Sequence, residues 1–494
     1  MITRPFAIIS SLAFGLLTSA LVQATTYYVD AERGAATHSG DAMSRPLKSL
    51  DQASKLSLQP GDQLLFAAGQ VFEGTLVLPR LAGSADTPIR IATYDPGNTS
   101  SSSNGRAIID AKGRANGVWL INPQHVVVEN LVIRAPGGGL THPKVDADGM
   151  RCGVLVTTSA AGSWGDVTLA GLQIEDVFYE NPGFSRGKDE VHTANGSQSY
   201  GWGIRFINQT KGSTLSGILV RDCVIENVSH TGLKFTTPKG GITDVRAINN
   251  TVLRTGGPGI QLSGVERAQF RGNRVDKSGS ADDSRKWSRG SGLWTWSCTD
   301  ILIEHNTFTN ANGPGDSAGC HIDFNCRNVV VQYNLSARNA GGFIEILGNN
   351  FNCAYRYNVS VDDGYRVKGK NGAFQEGKSF WLSGYVGQKT PASGPFNSYI
   401  YNNTIYTRDA IVAKIAAGPS AAGVLVANNI FCFVGPTKDV VGDQLRGEKR
   451  TGVPIDRAVF HHNLFLRQDT WPTGVALQDS APIFGDPQFA HPGG

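Results

Sequence analysis

The feature that most constrains the fold of this chain is an internal repeat of short apolar segments. Stretches rich in β-branched and aromatic residues, most with an asparagine at the same point, recur along the sequence. They include ILIEHNTF (301–308), VVVQYNLS (329–336), YIYNNTIY (399–406) and VLVANNIF (424–431). Asn306 and Asn334 stand 28 residues apart, and Asn334 and Asn358 stand 24 apart. A unit of this length made only of strands cannot bury a core alone, so successive copies must stack.

A second strand lies between these segments, and a glycine introduces it. Its copies are GIRF (203–206), GLKF (232–235), GIQL (259–262), GLWTW (292–296), GCHIDF (319–324) and GFIEIL (342–347). Coaxial stacking of such turns predicts an all-β fold, a single-stranded right-handed parallel β-helix, or solenoid. The recurrent asparagine is expected in the left-handed conformation, bonded to its neighbours above and below. Uneven repeat lengths and the absence of hairpin-type turns disfavour a β-propeller or a sandwich.

The pattern divides the chain into four regions. Residues 1–24 combine Arg4, an apolar stretch and small residues before Thr25, which predicts a cleavable signal peptide and a secreted or periplasmic protein. Residues 25–110 are expected to form an N-terminal cap and the first turns, with a cap helix over 49–57 that begins at Ser49. Residues 111–470 form the predicted β-helix, and 471–494 form a C-terminal tail that packs on the outside.

Composition narrows the possible partners. The net charge is +4 and no run of Lys or Arg stands out, so nucleic acid is not an expected partner. No further apolar run is long enough to span a bilayer. None of the seven cysteines has metal-type spacing, and most are expected to be small buried residues. We therefore expect a monomer without a metal or cofactor. The stretch VDDG (361–364) could bind Ca²⁺, but a turn with two solvated aspartates is the favoured interpretation.

One position in the glycine-introduced strands is polar and has apolar neighbours on both sides. Because side chains alternate across a strand, this column is expected to face outward along the axis. Allowing a one-residue adjustment between turns, its members are Arg205, Lys234, Gln261, Thr295, Asp323, Glu345 and Trp381. Charged and amide groups bind sugar hydroxyls, and a tryptophan packs on a sugar ring. Arg205, Lys234, Gln261 and Trp381 are therefore the candidate substrate-binding residues.

Carboxyl groups are concentrated near the middle of this column. Asp323 and Glu345 fall on adjacent turns, and Asp316 lies in the Gly-rich loop NANGPGDSAG (310–319), which is expected to be flexible. His321 stands beside them and could orient or tune a carboxyl. Hydrolysis of a glycosidic bond needs two carboxyl groups, so Asp316, Asp323, Glu345 and His321 are the candidate catalytic residues.

Two other functions fit the same pattern. A lyase or epimerase acting on a uronic-acid glycan needs a base and a cation, which Lys234 and Arg205 could supply, with His230 and Arg254 nearby in sequence. A non-catalytic glycan-binding surface protein could use the same scaffold. In each case the expected partner is a polysaccharide or oligosaccharide.

The chain resembles the polysaccharide-active right-handed β-helix proteins of the pectate lyase-like superfamily. The resemblance is carried by the repeats and by YYVD (27–30), PLKSLDQA (46–53) and LQPGDQLLFAAGQVFEG (58–74). A loop aspartate seven residues before a strand aspartate, followed by NVVVQYN (328–334), resembles the lacto-N-biosidase-like β-helix glycoside hydrolases. That resemblance implies hydrolysis, with Asp316 as the acid/base and Asp323 as the nucleophile. From the residues themselves we expect Asp323 to act as nucleophile or base, and Glu345 to be a neighbour that tunes the pair.

Overall fold

A computed structural model describes residues 23–97, 105–136, 151–178, 200–279, 289–442 and 454–491. Almost all of the predicted signal peptide and the last three residues of the tail lie outside these ranges. Within them the chain winds through three parallel sheets, one strand per sheet in most turns. The predicted all-β, right-handed parallel β-helix is confirmed. No helix in these ranges is both long and apolar enough to cross a membrane.

The strands are numbered β1 to β40 along the chain. Sheet one contains β1 (Thr26–Val29), β2 (Gln63–Ala67), β5 (Ile89–Tyr94), β8 (Gln124–Glu129), β11 (Gly162–Ala170), β14 (Ser213–Arg221), β17 (Ile242–Ile248), β20 (Glu266–Arg271), β23 (Thr299–Glu304), β26 (Arg327–Gln332), β29 (Phe351–Arg356), β32 (Phe396–Tyr401), β35 (Ala422–Ala427) and β38 (Val459–His461).

Sheet two contains β4 (Leu76–Pro79), β7 (Asn116–Ile121), β10 (Arg151–Thr157), β13 (Tyr200–Ile207), β16 (Leu233–Thr236), β19 (Ile260–Ser263), β22 (Leu293–Trp296), β25 (Cys320–Ile322), β28 (Gly342–Ile346), β31 (Lys378–Leu382), β34 (Ala413–Ala417) and β37 (Thr437–Asp439). Sheet three contains β3 (Val71–Glu73), β6 (Ala107–Asp110), β9 (Leu131–Arg134), β12 (Gln173–Val177), β15 (Val224–Val228), β18 (Thr251–Thr255), β21 (Arg274–Asp276), β24 (Thr307–Thr309), β27 (Leu335–Ala337), β30 (Val359–Val361), β33 (Thr404–Thr407), β36 (Ile430–Phe433), β39 (Leu464–Phe465) and β40 (Ile483–Phe484).

The interior is a continuous column of apolar side chains from all three sheets. In sheet two, Ile204 aligns with Leu233, and Leu233 aligns with Ile260. These three residues and Ile322 are fully buried, as the repeat pattern predicts. Stacking like residues on like removes apolar surface from water at every turn, which is the main source of stability in such an array.

Glycine directly precedes the sheet-two strands β16, β19, β22 and β25, because the bend from sheet three leaves no room for a side chain there. A Cβ on Gly232 would lie 2.4 Å from Val252 Cγ1 and 2.8 Å from the carbonyl oxygen of Gly259. A Cβ on Gly259 would lie 2.3 Å from Val275 Cγ1. The glycines thus allow each strand of sheet two to approach the core side chains of sheet three.

Buried asparagines form a hydrogen-bonded ladder at the bend between sheets one and three. In Asn306, the backbone N–H and the side-chain amide both donate to Oδ1 of Asn334, at 2.9 and 3.0 Å. The ladder runs through Asn250, Asn273, Asn306, Asn334, Asn358, Asn403, Asn429 and Asn463. It begins at the backbone N–H of Cys223 and ends at the carboxylate of Asp479.

The bonding between ladder asparagines is as expected, but their backbone conformation is not. The left-handed residue at this bend is the one before each asparagine, for example His305 (φ 55°) and Tyr333 (φ 54°). The bend is closed by the preceding residue, which frees the asparagine side chain to point inward and bond along the axis.

Helix α1 spans Leu50–Ala53, shorter than the predicted 49–57. Ser49 caps it as expected, with its hydroxyl accepting the backbone N–H of Gln52 at 3.3 Å. Leu50 and Ala53 are buried in the core, and the role of α1 as a cap stays a prediction. In the tail, Trp471 enters the core, and its indole N–H donates to the carbonyl of Leu477 at 2.8 Å. The prediction that the tail packs only on the outside is therefore wrong at this residue.

The seven cysteines are all buried free thiols, as predicted for small core residues. Cys298 and Cys326 are neighbours on successive turns, with the backbone N–H of Cys298 at 3.5 Å from Cys326 Sγ.

Candidate active site

The polar column of sheet two has a different register from the predicted one. Lys234 pairs with Arg205 and Gln261, and Gln261 then pairs with Trp294, which pairs with His321. Thr295 pairs with Ile322 and is fully buried, so its predicted outward position is wrong. The one-residue adjustment caused the error: Gly259, Gly292 and Gly319 align without it, and this alignment puts Trp294 and His321 in the column.

Asp323 is the first residue after β25. It occupies the next outward position after His321, two residues further along the chain. Its backbone N–H donates to the carbonyl of Thr295 at 2.9 Å, so the stack fixes its backbone as expected. Phe324, predicted to be in the core, is only half-buried and packs edge-to-face on Trp296 and Tyr385. Asp323 therefore has a core residue on one side and an aromatic wall on the other.

The column points away from the core but is covered rather than exposed. Arg205, Lys234 and Gln261 are at most 7% exposed, and Glu345 and Trp381 are 5% and 4% exposed. The expectation of an open polar strip is therefore wrong. Arg205 lies with its guanidinium carbon 3.8 Å from the ring centre of Trp202, and Trp381 lies in an apolar cluster with Leu347 and Ala416.

A cavity of about 310 Å³ opens over four successive strands of sheet two, β19, β22, β25 and β28. Its polar lining includes Gln261, Arg289, Asp316, His321, Asp323 and Glu345. The structure thus brings the four candidate catalytic residues together with Gln261. Arg205, Lys234 and Trp381 do not line the cavity. Their roles in substrate binding stay predictions that the geometry of this cavity does not support.

Asp316 enters the cavity from a loop whose backbone is fixed by hydrogen bonds. Its backbone adopts the left-handed conformation (φ 42°), and its N–H donates to Gln375 Oε1 at 2.5 Å. Its carbonyl accepts a hydrogen bond from Arg366 at 2.9 Å. Arg289 Nη1 lies 3.5 Å from Asp316 Oδ1. The predicted flexibility of this loop does not match these contacts.

The cavity gives Asp316 and Asp323 opposite charge states. Burial disfavours the charged form of Asp316. Interactions with Arg289, His321 and Arg366, together with a hydrogen bond from Gln375, outweigh it and hold the pKa of Asp316 below the ordinary value. Burial raises the pKa of Asp323 to about 7, against a hydrogen bond from the backbone N–H of Phe324, and the charge of Asp316 adds to the rise. At neutral pH Asp316 is therefore ionised, whereas Asp323 is near its own pKa and exchanges a proton readily.

Glu345 is the third carboxyl of the cavity and is the most strongly perturbed. Burial raises its pKa to about 8, and the charge of Asp316 acts in the same direction, while Lys378 acts against it. Glu345 is therefore largely protonated at neutral pH. In that form it donates a hydrogen bond, and it adds no second negative charge beside Asp316.

His321 is a fixed, neutral imidazole. It is 3% exposed, stacks on Trp294 with ring centres 5.8 Å apart, and has Nδ1 3.0 Å from Ser291 Oγ. The same serine hydroxyl accepts the backbone N–H of Ala318 at 3.2 Å, so it joins His321 to the loop ahead of β25. Burial lowers the pKa of His321 to about 4 although Asp316 opposes the shift. The ring therefore does not carry a charge at neutral pH.

Sequence reasoning missed the aromatic walls of the cavity. Trp294, Trp296, Phe324 and Tyr385 line it, and Trp296 is 38% exposed. Trp294 and Trp296 stand on either side of Thr295 in GLWTW, so the prediction that Thr295 faces outward places both tryptophans in the core. Direct alignment of the introducing glycines would have placed both on the outer face. Indole rings beside carboxyls suit a sugar ring, whose C–H faces pack on aromatic surfaces while its hydroxyls bond to polar groups.

Three of the four residues proposed for β-elimination lie together around Trp202, but they lie outside the cavity. Lys234 lies near Arg205 and Trp202, and His230 packs against the ring of Trp202 at 5.3 Å. Burial lowers the pKa of Lys234 well below its ordinary value. Arg254, however, is on β18 in sheet three and pairs with Glu226. None of the four lines the cavity.

The aspartates of the VDDG turn are not solvated. Asp362 is buried and pairs with Arg408, whose Nε lies 2.8 Å from its carboxylate. Asp363 accepts the backbone N–H of Asn339 at 2.8 Å and the hydroxyl of Ser360 at 2.7 Å. Burial raises the pKa of Asp363 to about 7. In the part of the chain that the structure describes, no cluster of three or more His, Cys, Asp or Glu residues is arranged to hold a metal ion.

Comparisons with known proteins agree with this architecture. The family model "Right handed beta helix region" matches residues 203–431. The lacto-N-biosidase of Bifidobacterium longum is 26% identical over 541 aligned residues, which take in 92% of this chain and 31% of that protein. The chain thus spans less than a third of the length of that curated relative.

A solved structure is similar over most of the fold. It is the crystal structure of GH136 lacto-N-biosidase from Eubacterium ramulus, with a TM-score of 0.58 and 22% identity. The match covers 84% of this chain and 68% of that one. At this identity the likeness shows the fold. The expected resemblance to lacto-N-biosidase-like β-helix proteins is confirmed as a distant one.

Proposed function

We propose that this protein is a glycoside hydrolase that cleaves a polysaccharide or complex oligosaccharide in the cavity on sheet two. The observation that carries the proposal is the pair of Asp316 and Asp323 in one cavity, with unlike charge states and aromatic walls. Glycoside hydrolysis needs one carboxyl that donates a proton and one that acts as carboxylate, and the cavity supplies both forms at neutral pH.

Asp316 and Asp323 are proposed as the reacting pair, and two observations bear on which does what. The resemblance to lacto-N-biosidases makes Asp316 the acid/base and Asp323 the nucleophile. The free cavity holds the proton on Asp323 and the charge on Asp316. The two carboxyls interact electrostatically and titrate as a pair, so a bound leaving group can shift the proton between them. In the proposed reaction Asp316 is the acid/base and Asp323 the nucleophile, as in the resemblance. Before substrate binds, the proton is on Asp323, and binding shifts it to Asp316.

His321 and Glu345 support the pair in this proposal. His321 is neutral and held between Ser291 and Trp294, so it is an uncharged imidazole in a fixed position beside the carboxyls. Protonated Glu345 donates to a sugar hydroxyl without adding charge. Gln261 adds an amide on the neighbouring strand β19, and Trp294 and Trp296 supply the apolar faces on which a sugar ring packs.

The relatives suggest where to look for the substrate. Both similar proteins are named lacto-N-biosidases, so glycosides of lacto-N-biose head the panel. We propose that the protein is exported, because of the signal peptide pattern in 1–24, and that it meets its glycan outside the cytoplasm.

The proposal is tested with the purified protein and its Asp316→Asn and Asp323→Asn variants. The substrates are the 4-nitrophenyl glycoside of lacto-N-biose, other aryl glycosides, and a panel of polysaccharides. We expect new reducing ends, and each variant should lower turnover by a factor on the order of 10² or more. Asp300→Asn, at an exposed carboxylate on sheet one that binds Asn328, is the matched control and should keep parental turnover.

The other outcomes identify the alternatives. Unsaturated products with ultraviolet absorbance would replace the hydrolase by a lyase. Binding to a glycan without any product would favour a surface-binding protein. Parental turnover in both aspartate variants would remove Asp316 and Asp323 from the chemistry.

A further inference from the structure

The loop that carries Asp316 is clamped by a segment from a later turn of the coil. Residues 362–377, between β30 and β31, lie against residues 313–317. Phe374 N–H donates to the carbonyl of Pro314 at 2.9 Å, and the ring of Phe374 fills the space that a side chain on Gly315 would need. The two segments are more than 40 residues apart in sequence, so this contact is not a consequence of chain connectivity.

Arg366 is the centre of the clamp. Its Nη1 donates to the carbonyl oxygens of Gly313 and Asp316, both at 2.9 Å. Its Nε donates to the carbonyl of Gln375 at 2.9 Å. One guanidinium thus joins both ends of the turn that carries Asp316 to the segment that covers it. Arg366 is 8% exposed, so these bonds form away from bulk water.

Gln375 holds the other side of Asp316. Its Oε1 accepts the backbone N–H of Asp316 at 2.5 Å, and its side chain also hydrogen-bonds the Asp316 carboxyl. A residue with a Cβ is strained at φ 42°, so Asp316 keeps this conformation only while its surroundings hold it. Gln375 and Arg366 bind the N–H and the C=O of that single strained residue.

Lys414 supports the clamp from the next turn. Its Nζ donates to the carbonyls of Gly364 and Arg366, each at 3.1 Å, and lies 3.8 Å from the carboxylate of Glu376. Lys414 is 2% exposed. Burying two cations is costly unless both are hydrogen-bonded, and here both are used to fix the backbone around one cavity residue.

We propose that Arg366 and Gln375 are positioning residues, which hold the Asp316 backbone in its strained conformation and so aim its carboxylate into the cavity. This inference rests on the proposed function, because it gives Asp316 a role in the reaction. Small displacements of a reacting group are costly in rate, so an aspartate in a strained turn needs such a support.

The clamp also sets the charge of Asp316. The charged or titratable groups that face this carboxyl are Arg289 ahead of β22, His321 on β25, Asp323 after it, Glu345 on β28, and Arg366. Arg289, His321 and Arg366 are the groups among them that favour the carboxylate, and of these only Arg366 belongs to the clamp. Loss of Arg366 should therefore raise the pKa of Asp316, whereas an anchor that only stabilised the fold would leave it unchanged.

The test compares Arg366→Gln, Arg366→Lys and Gln375→Met with the parent protein. The pKa of Asp316 is read from the ¹³C carboxyl resonance of protein labelled at aspartate, assigned with Asp316→Asn. This measurement needs no substrate. Turnover and KM are measured with the 4-nitrophenyl glycoside of lacto-N-biose, or with the best substrate of the panel. Arg408→Gln is the matched control, because Arg408 pairs with Asp362 in the same segment and has no hydrogen bond to the Asp316 turn.

We expect Arg366→Gln to raise the pKa of Asp316 by about one unit and to lower kcat by on the order of tenfold, with KM changed by less than about threefold. Arg366→Lys should restore the pKa but not kcat, because an ammonium cannot span both carbonyls. Gln375→Met should lower kcat in the same way and serves as the second variant if Arg366→Gln does not fold.

An unchanged pKa and kcat in the folded variants would overturn the inference even if Asp316→Asn is inactive. Full activity of Asp316→Asn would instead overturn the proposed function, and the ¹³C titration would still decide whether Arg366 controls this carboxyl.

Discussion

At the scale of single residues, Asp323 shows how one position acquires both an unusual pKa and a place in the cavity. The stack brings its backbone to the end of β25, and the aromatic wall of Phe324 and Tyr385 reduces its contact with water. The same partial burial that makes the carboxyl available to a bound ligand makes its charged form unfavourable in the free protein. The proposed catalytic role of Asp323 and its cost in stability therefore have a common cause.

Asp323→Asn should stabilise the protein in a pH-dependent way. The pKa of Asp323 is raised from 3.8 to about 7, so below about pH 4 the group is neutral in both the folded and the unfolded state. As the pH rises towards 7, the unfolded chain ionises this group before the folded protein does, and stability falls; above 7 the loss is constant. The variant lacks this loss. Its melting temperature should match that of the parent near pH 4 and exceed it by a few degrees at pH 8.

The measurement is thermal unfolding of both proteins across that pH range. Asp300→Asn, on the exposed face of sheet one, is the control and should show no such growth in the difference. A constant difference between Asp323→Asn and the parent from pH 4 to pH 8 would mean that burial does not perturb this carboxyl.

At the scale of the element, the sheet-two strand depends on the glycine that precedes it, such as Gly259 before β19. Gly259 has φ in the ordinary range, so its role is steric: a Cβ would lie 2.3 Å from Val275 Cγ1 and 2.7 Å from the carbonyl oxygen of Gly292. One of these contacts is with backbone, which cannot move aside without disturbing the next turn.

Gly259→Ala should therefore lower the free energy of unfolding by about 1–3 kcal/mol, as expected for overpacking in a fixed core. Chemical denaturation of the variant and the parent measures the change. Gly485→Ala is the matched control, because a Cβ there meets no atom within 4 Å. Equal stability of Gly259→Ala and the parent would show that the bend can open without cost.

The same element shows what could be predicted from the sequence. The repeat of Gly and alternating apolar residues was sufficient for the fold, the core and the clustering of Asp316, Asp323 and Glu345 in one region. It was not sufficient for the exact column, because Trp294 and Thr295 are both compatible with either face until their pairing to Gln261 and Leu262 is known. The clamp on Asp316 could not be predicted, since Arg366 and Gln375 reach it across a later turn that carries no repeat signal.

At the scale of the whole molecule, the described fold begins where the signal peptide is predicted to end. The backbone N–H of Thr25 donates to Asp62 Oδ1 at 2.7 Å, and the carbonyl of Thr25 accepts the N–H of Gln63 at 2.9 Å. A mature chain that starts at or near Thr25 therefore keeps these first contacts of sheet one.

Expression with export should give a mature protein without residues 1–24. Intact-mass spectrometry of the exported protein measures this directly, with the cytoplasmic form of the same chain as the control. An exported protein whose mass still includes Met1 would contradict the predicted cleavage.

The asparagine ladder has a direction, and that direction limits how such a molecule can change in length. Each rung donates its backbone N–H and one side-chain N–H to the next rung towards the C-terminus, while the side-chain amide also donates back to a carbonyl of the preceding turn. The last rung, Asn463, therefore offers two N–H groups that no further asparagine accepts. Asp479 closes them with a carboxylate, as an anion closes the N-terminus of a helix. A whole turn can be gained or lost inside the array, because each rung is equivalent to its neighbours. Loss of a turn must leave Asp479 in place, because the last asparagine needs a carboxylate to accept its N–H groups. The tail that carries Asp479 must therefore follow whichever turn is last.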